Sequence, residues 1–408
     1  MLSTLEKKLK IDARYFVKNS FWLTFRHFVT TALGIITGMI FARYVSKETF
    51  GSYQLALSFM AAVTFFSLPG FGKAIWADAS TGNDGSLRMA FSKQVKWAFL
   101  GSLALMVLAS RYYFIGDVEF AWSLVAIAVV FPLYSGAGGW TAFLISKNMY
   151  GLSTKLILMA EIASKTAIIA AIFLCKASLL FIVIATVGMT AITNLIGSQV
   201  AKRKATNNNV SKDFVSYGFF VTKTAIIQGV LEKIDSILIG VFIGPAQLAI
   251  YAFALIIPQQ LMNFVSALMD VIIPKLGEKS AKEINVGIGQ KYVVLLLMNV
   301  ILITAVILVT PFAVQVLFTE NYTDSIIYAQ IITASLFLYV FETFYSRFFL
   351  VKKYKDGILK TNLINPIFRS VVITLAFIWF GMLGVAASHT ITRLFNVVMY
   401  MFLARKTQ

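Results

Sequence analysis

Residues 44–59 read YVSKETFGSYQLALSF, and residues 242–257 read FIGPAQLAIYAFALII. Each is a short turn that opens into unbroken apolar sequence. Tyr53, Ala56 and Leu57 stand in register with Tyr251, Ala254 and Leu255, an offset of 198 in a chain of 408 residues. Self-similarity at a fixed spacing is the mark of a duplicated unit, and here the spacing is close to half the chain.

The sequence around both copies is that of a membrane protein. Apolar residues make up 59% and charged residues 13%, with a mean hydropathy of +0.80, against about 25% charged residues in a soluble domain. Apolar runs long enough to cross about 30 Å of hydrocarbon as α-helix recur near 20–43, 50–69, 94–110, 119–146, 153–174, 177–199, 214–243, 247–271, 292–317, 325–350, 362–380 and 383–403. The ten-residue alternation of an outer-membrane barrel is absent, and the first apolar run has no cleavage site for a signal peptide. Cys175 is the single cysteine, so no intrachain disulfide is expected.

The net charge of +18 does not point to nucleic acid, because the basic residues lie in loops between apolar runs rather than on a solvated domain. Lys202, Arg203 and Lys204, and Lys352, Lys353 and Lys355, share one side with the N-terminal lysines; the other side holds Arg43, Lys47, Arg111 and Lys176. By the positive-inside rule both termini face the cytoplasm. Residues 1–19 predict an amphipathic segment on the anionic inner leaflet. The polar stretch AKRKATNNNVSKD, 201–213, predicts a flexible cytoplasmic linker between six-helix bundles at 20–200 and 214–404. Six spans separate the two copies of the motif, so the repeat is parallel.

The pattern of a helix, a short turn, and Gly-x-Tyr leading into Ala-rich sequence reads ARYVSKETFGSYQLAL after the first span and DSILIGVFIGPAQLAIYAFAL after the seventh. With twelve spans, it resembles the polysaccharide-exporter branch of the multidrug/oligosaccharidyl-lipid/polysaccharide (MOP) superfamily, the Wzx-type O-antigen flippases. Ile250 departs from the pattern, holding the place of a small residue, while Asp235 matches an acidic position common in that family's seventh helix. The resemblance implies an all-α membrane protein of about twelve helices in two pseudo-symmetric, MATE-like bundles. It further implies a bacterial inner-membrane protein that handles lipid-linked oligosaccharide beside a polysaccharide polymerase and chain-length machinery.

Ionisable residues at bilayer depth cost at least about 2.5–3.5 kcal/mol each, so they face a wet cavity or a partner. Helices one and seven carry Arg26 and Lys223, near-equivalent under the 198-residue offset, and both are expected to face a groove between the halves or to snorkel to the headgroups. Arg347, Arg369 and Arg393 either suit phosphate, since a guanidinium fork binds it in two places, or pair with acids across the bundle; Lys233 is a further candidate for phosphate. Glu232 and Asp235, three apart in LEKIDSILIG, predict either a carboxylate pair able to take up and release a proton or bind Na⁺, or a structural ion pair with a basic residue of a neighbouring helix. Glu161 is either a third coupling acid or the partner of Lys165, four residues on. Gly34 with Gly38 and Gly240 with Gly244 predict close helix packing. His27 and His389 are too far apart in sequence to suggest a metal site, no ligand cluster has metal spacing, and no phosphate-binding loop for ATP is present.

These features predict a carrier that needs no cofactor beyond an ion gradient, a monomer sufficing. A cation-coupled multidrug exporter of the same superfamily is the first alternative. A membrane-embedded polymerase is the second, and it lacks the polar domain such an enzyme needs.

Overall fold

The structure is a computed structural model that describes residues 13–277, 281–351 and 354–405. The amphipathic segment expected over 1–19 lies almost wholly outside the residues whose side chains are described. The chain runs through α1 (Ala13–Tyr44), α2 (Lys47–Val63), a 3₁₀ turn (Thr64–Ser67), α3 (Gly70–Ser80), α4 (Ser86–Ile115), α5 (Val118–Gly136), α6 (Trp140–Ser146), α7 (Tyr150–Leu174) and α8 (Leu179–Lys204). It continues through α9 (Phe214–Leu231), α10 (Ile234–Leu238) with a π segment (Ile239–Ile243), α11 (Pro245–Gly277), α12 (Ala281–Phe318), α13 (Ser325–Val351) and α14 (Lys355–Arg405).

Among the described residues, ten helices are long and apolar enough to cross a membrane. One of them, α14, is two arms meeting at Gly381, whose backbone (φ 56°, ψ −139°) is not helical. A Cβ on Gly384 would overlap the carbonyl of Ala376 in the other arm. The second arm of α14 and the interrupted α9–α10 helix stand where the sequence places its two remaining spans. The all-helical membrane architecture is therefore as the sequence indicates.

Packing divides the chain into two units, Met1–Val45 with Val63–Ala225, and Ser46–Ala62 with Ile226–Gln408. In the first unit Phe71, Ile75, Leu87, Trp140, Phe143, Leu144 and Phe214 belong to one buried cluster. Helix α3, which the hydropathy pattern did not separate from its neighbours, supplies the first two of these. Its first residue, Gly70, abuts the backbone of Thr222 so closely that no side chain fits, and the Thr222 hydroxyl accepts the Gly70 N–H at 3.2 Å.

The stretch 201–213 corrects the expectation of a flexible linker. Asp84, fully buried, accepts from the N–H of Thr206 at 2.7 Å and its hydroxyl at 2.9 Å, and pairs with Lys147. The N–H of Asp84 donates to the Asn207 side chain, that of Gly85 to the Asn209 carbonyl, and that of Ser211 to Asp78. Asn207, which would be interchangeable with its neighbours in a disordered tether, here satisfies the N–H of Asp84 and the carbonyl of Gly82.

In the second unit the opening motif becomes a contact. A Cβ on Gly51 would occupy the space of the Pro245 carbonyl, so α2 and the first turn of α11 touch backbone to backbone. Phe50 packs on Phe253 with centroids 4.8 Å apart, and Leu55 fills the notch at Gly240. The two copies of the repeated sequence thus lie against each other. The two glycine pairs behave differently from one another: Gly240 gives close packing, whereas Gly34 has nothing within 4 Å of a built Cβ, and Gly244 is required by φ +133°.

Candidate functional site

The seventh crossing is not one helix. α9 ends at Leu231, Glu232 and Lys233 form a turn, and the chain restarts as α10 before widening into the π segment. The expected shared face of Glu232 and Asp235 is lost, because three residues span a face only in continuous helix. Glu232 and Lys233 are exposed and Asp235 is buried. Interruptions and π turns of this kind are tolerated at membrane depth where side chains re-satisfy the freed backbone groups.

Those side chains form one network. The Tyr251 hydroxyl donates to Asp235 Oδ2 at 2.9 Å and lies 3.0 Å from His389 Nε2. Arg369 Nη2 donates to the same Oδ2 at 3.3 Å, and its Nη1 to the Glu232 carbonyl at 3.3 Å. The second carboxylate oxygen accepts the Ser236 N–H at 2.8 Å. Four elements contribute: α10 the acid, α11 the tyrosine, and the two arms of α14 the arginine and the histidine. Tyr251 is the register residue of the repeated motif; its hydroxyl chemistry was invisible in a periodicity argument. His389 was weighed only as a metal ligand, and the signal that could have found it is its place one helical turn from Arg393.

One to two turns further along α14, Arg393 makes a second buried cluster. It donates to Glu342 at 3.3 Å and to the Ser335 hydroxyl at 3.1 Å, and its guanidinium lies 4.7 Å from the centre of the Tyr339 ring. Asn396 donates to the other Glu342 oxygen at 2.7 Å.

Residues 16–280 match the family model for polysaccharide biosynthesis proteins. The chain belongs to the polysaccharide biosynthesis protein family. A Shigella flexneri protein named for O-antigen transport is 22% identical over 328 residues, 75% of this chain and 77% of that relative. Among solved structures, the lipid II flippase MurJ in an inward closed conformation is similar with a TM-score of 0.71 at 14% identity, over 94% of this chain and 87% of that one. An inward-facing multidrug resistance MATE transporter of the MOP superfamily gives 0.68 at 11% identity, over 91% and 94%. These two likenesses establish the fold. With the family match they bear out the resemblance to the MOP superfamily, and the relatives are named as transporters or flippases rather than enzymes.

In this polysaccharide biosynthesis protein the hydrogen bonds of the Asp235 network run between residues of the second unit. Arg26 is partly buried on α1 and Lys223 exposed on α9; neither makes an ion pair among the described residues. Glu161 and Lys165 are both partly buried on α7 and, one turn apart, do not pair with each other. Arg347 is partly buried on α13. No group of three His, Cys, Asp or Glu side chains could hold a metal among the described residues.

Proposed function

We propose that this protein is a flippase that moves polyprenyl-pyrophosphate-linked oligosaccharide from the cytoplasmic to the outer leaflet of the bacterial inner membrane. The cycle is alternating access driven by an H⁺ or Na⁺ gradient, in the service of O-antigen or another surface polysaccharide. The physical need is plain: each unpaired hydroxyl taken from water to hydrocarbon costs roughly 4–8 kcal/mol, so a glycan does not cross alone, whereas its isoprenoid tail stays in lipid.

The observation that carries this reading is the Asp235 network, in which an acid, a hydroxyl, an imidazole and a guanidinium are joined inside an interrupted membrane helix of a polysaccharide-family chain. Such a site can exchange a small cation and present a positive group to phosphate. Asp235, with Glu232 and Glu161, serves coupling. Arg26 and Lys223 receive the pyrophosphate, with Lys233, Arg347, Arg369 and Arg393 as further contacts. Both termini lie in the cytoplasm, and polymerase and chain-length proteins are the expected neighbours of a monomeric carrier.

The test is translocation of a fluorescent polyprenyl-pyrophosphate oligosaccharide in proteoliposomes, scored by an added glycosidase, under imposed proton or sodium gradients. Transport by the wild type that collapses in Arg26→Ala/Lys223→Ala supports the proposal. A wild type that moves no lipid-linked sugar but extrudes a cationic dye overturns it in favour of a drug exporter.

A further inference from the structure

We propose that His389, Tyr251 and Asp235 form a proton wire that neutralises Asp235 and thereby frees Arg369 to take an anionic phosphate group. The inference deepens the flippase reading, on which it rests for the nature of the anion.

The hydrogen bonds define the direction of the wire. Tyr251 has one proton, and it is given to Asp235 Oδ2 at 2.9 Å. The contact of the same hydroxyl with His389 Nε2 at 3.0 Å then requires Nε2 to carry the hydrogen, since two acceptors cannot face each other. In neutral His389, Nδ1 is left as the basic site. Tyr251 is fully buried and Asp235 exposes 4% of its surface, whereas His389 is partly accessible. In the proposed wire the proton enters at the histidine, the most accessible of its three members.

The transfer balances. A proton adds to Nδ1, the Nε2 hydrogen passes to the tyrosine oxygen, and the hydroxyl hydrogen passes to Oδ2. His389 ends as the Nδ1–H tautomer, Tyr251 remains neutral with its hydrogen turned toward Nε2, and Asp235 becomes a carboxylic acid. Release of the Nδ1 proton and reversal of the three steps restore the start. The consequence falls on Arg369, a guanidinium whose side chain is 28% exposed. It loses a charge partner and keeps one neutral acceptor, the Glu232 carbonyl. A doubly charged phosphate then outcompetes what remains.

Among the described residues, the charged and titratable groups around His389 are Asp235 on α10, Tyr251 on α11, and Arg369 and Arg393 on its own hairpin. Arg393 is already matched by Glu342 of α13, which leaves Asp235 as the acid that receives the proton. The offset of the internal repeat puts Thr37 and Tyr53 at the positions of Asp235 and Tyr251. Thr37 uses its hydroxyl on the Leu33 carbonyl of its own helix, so the first unit has no acid at this place in the repeat.

The experiment uses full-length protein in lipid nanodiscs. Infrared difference spectra after a downward pH jump are expected to show a protonated-carboxyl band that is absent in Asp235→Asn and appears at least about tenfold more slowly in Tyr251→Phe. His389→Gln, which keeps a hydrogen-bond donor toward Tyr251 but cannot accept the proton, should slow the band likewise, and it stands in if the phenylalanine variant does not fold. Inorganic pyrophosphate should bind Asp235→Asn roughly tenfold more tightly than wild type at alkaline pH, the size of an ordinary coupling between sites, and Asp235→Asn/Arg369→Gln should lose that gain. Tighter binding of a short polyprenyl pyrophosphate than of the inorganic ion assigns the anion to a lipid headgroup; equal binding assigns it to free phosphate. A band of unchanged rate in both Tyr251→Phe and His389→Gln, or no gain in pyrophosphate affinity in Asp235→Asn, overturns the wire. Failure of lipid translocation by the wild type would overturn the flippase reading while leaving the infrared result intact.

Discussion

Gly51 has no space for even one methyl group, because the Pro245 carbonyl occupies it. Both partners are backbone and cannot rotate away, so Gly51→Ala is expected to cost about 1–3 kcal/mol, the range for overpacking a fitted contact, and to lower the thermal midpoint in detergent. Gly34→Ala is the control. Nothing lies within 4 Å of its built Cβ, and alanine is the better helix former, so the midpoint should hold or rise. At Arg393 the side chains of the pair are 11% and 21% exposed. Arg393→Met should destabilise by about 3 kcal/mol by leaving Glu342 without its charge partner, and adding Glu342→Met should recover most of that loss. The sequence named Arg369 and Arg393 as intramembrane cations and Asp235 as an acid to watch, because charge in apolar sequence is conspicuous. It could not say which acid each arginine meets, since Arg369 and Asp235 are 134 positions apart and no local pattern reports such a pairing.

The pinned stretch 205–211 is a property of the element rather than of any one residue. Burial alone would raise the Asp84 carboxyl, but Lys147 and both donors of Thr206 outweigh it and hold the group below its ordinary value of 3.8. A carboxyl lowered in the folded state stabilises above its unfolded value and loses that contribution as pH falls through the lowered one. Proteolysis of the 205–211 stretch should therefore be slow at neutral pH and accelerate under strong acid, as followed with an acid-active protease and mass spectrometry. Asp84→Asn should bring the faster cleavage to neutral pH. In the α14 hairpin, Gly381→Ala must adopt φ 56°, ψ −139°, a region nearly closed to side chains, at a cost of about 1–3 kcal/mol read in the same melting assay. The hairpin was legible, with spans ending at 380 and resuming at 383, because a glycine interrupts the apolar run. The break at Glu232 was not, since that turn contains no Gly or Pro, and the arginine that satisfies it comes from another element.

For the whole molecule, the positive-inside rule predicts that reporter fusions at residue 408 are active only in forms that work in the cytoplasm. The all-helical membrane architecture was readable from length and hydropathy alone, since it depends on composition over long windows. What composition could not reveal is that Ser46–Ala62 packs with the second unit, because contacts such as Phe50 on Phe253 are matters of shape rather than of pattern. That placement bears on biosynthesis. Residues 46–62 leave the ribosome 183 positions ahead of Pro245, their backbone partner, and at about 5–20 residues per second they wait on the order of 10–40 s for it. During that interval α2 sits in the membrane with Gly51 uncovered, a nascent-chain span in need of a temporary companion until the eighth crossing is made.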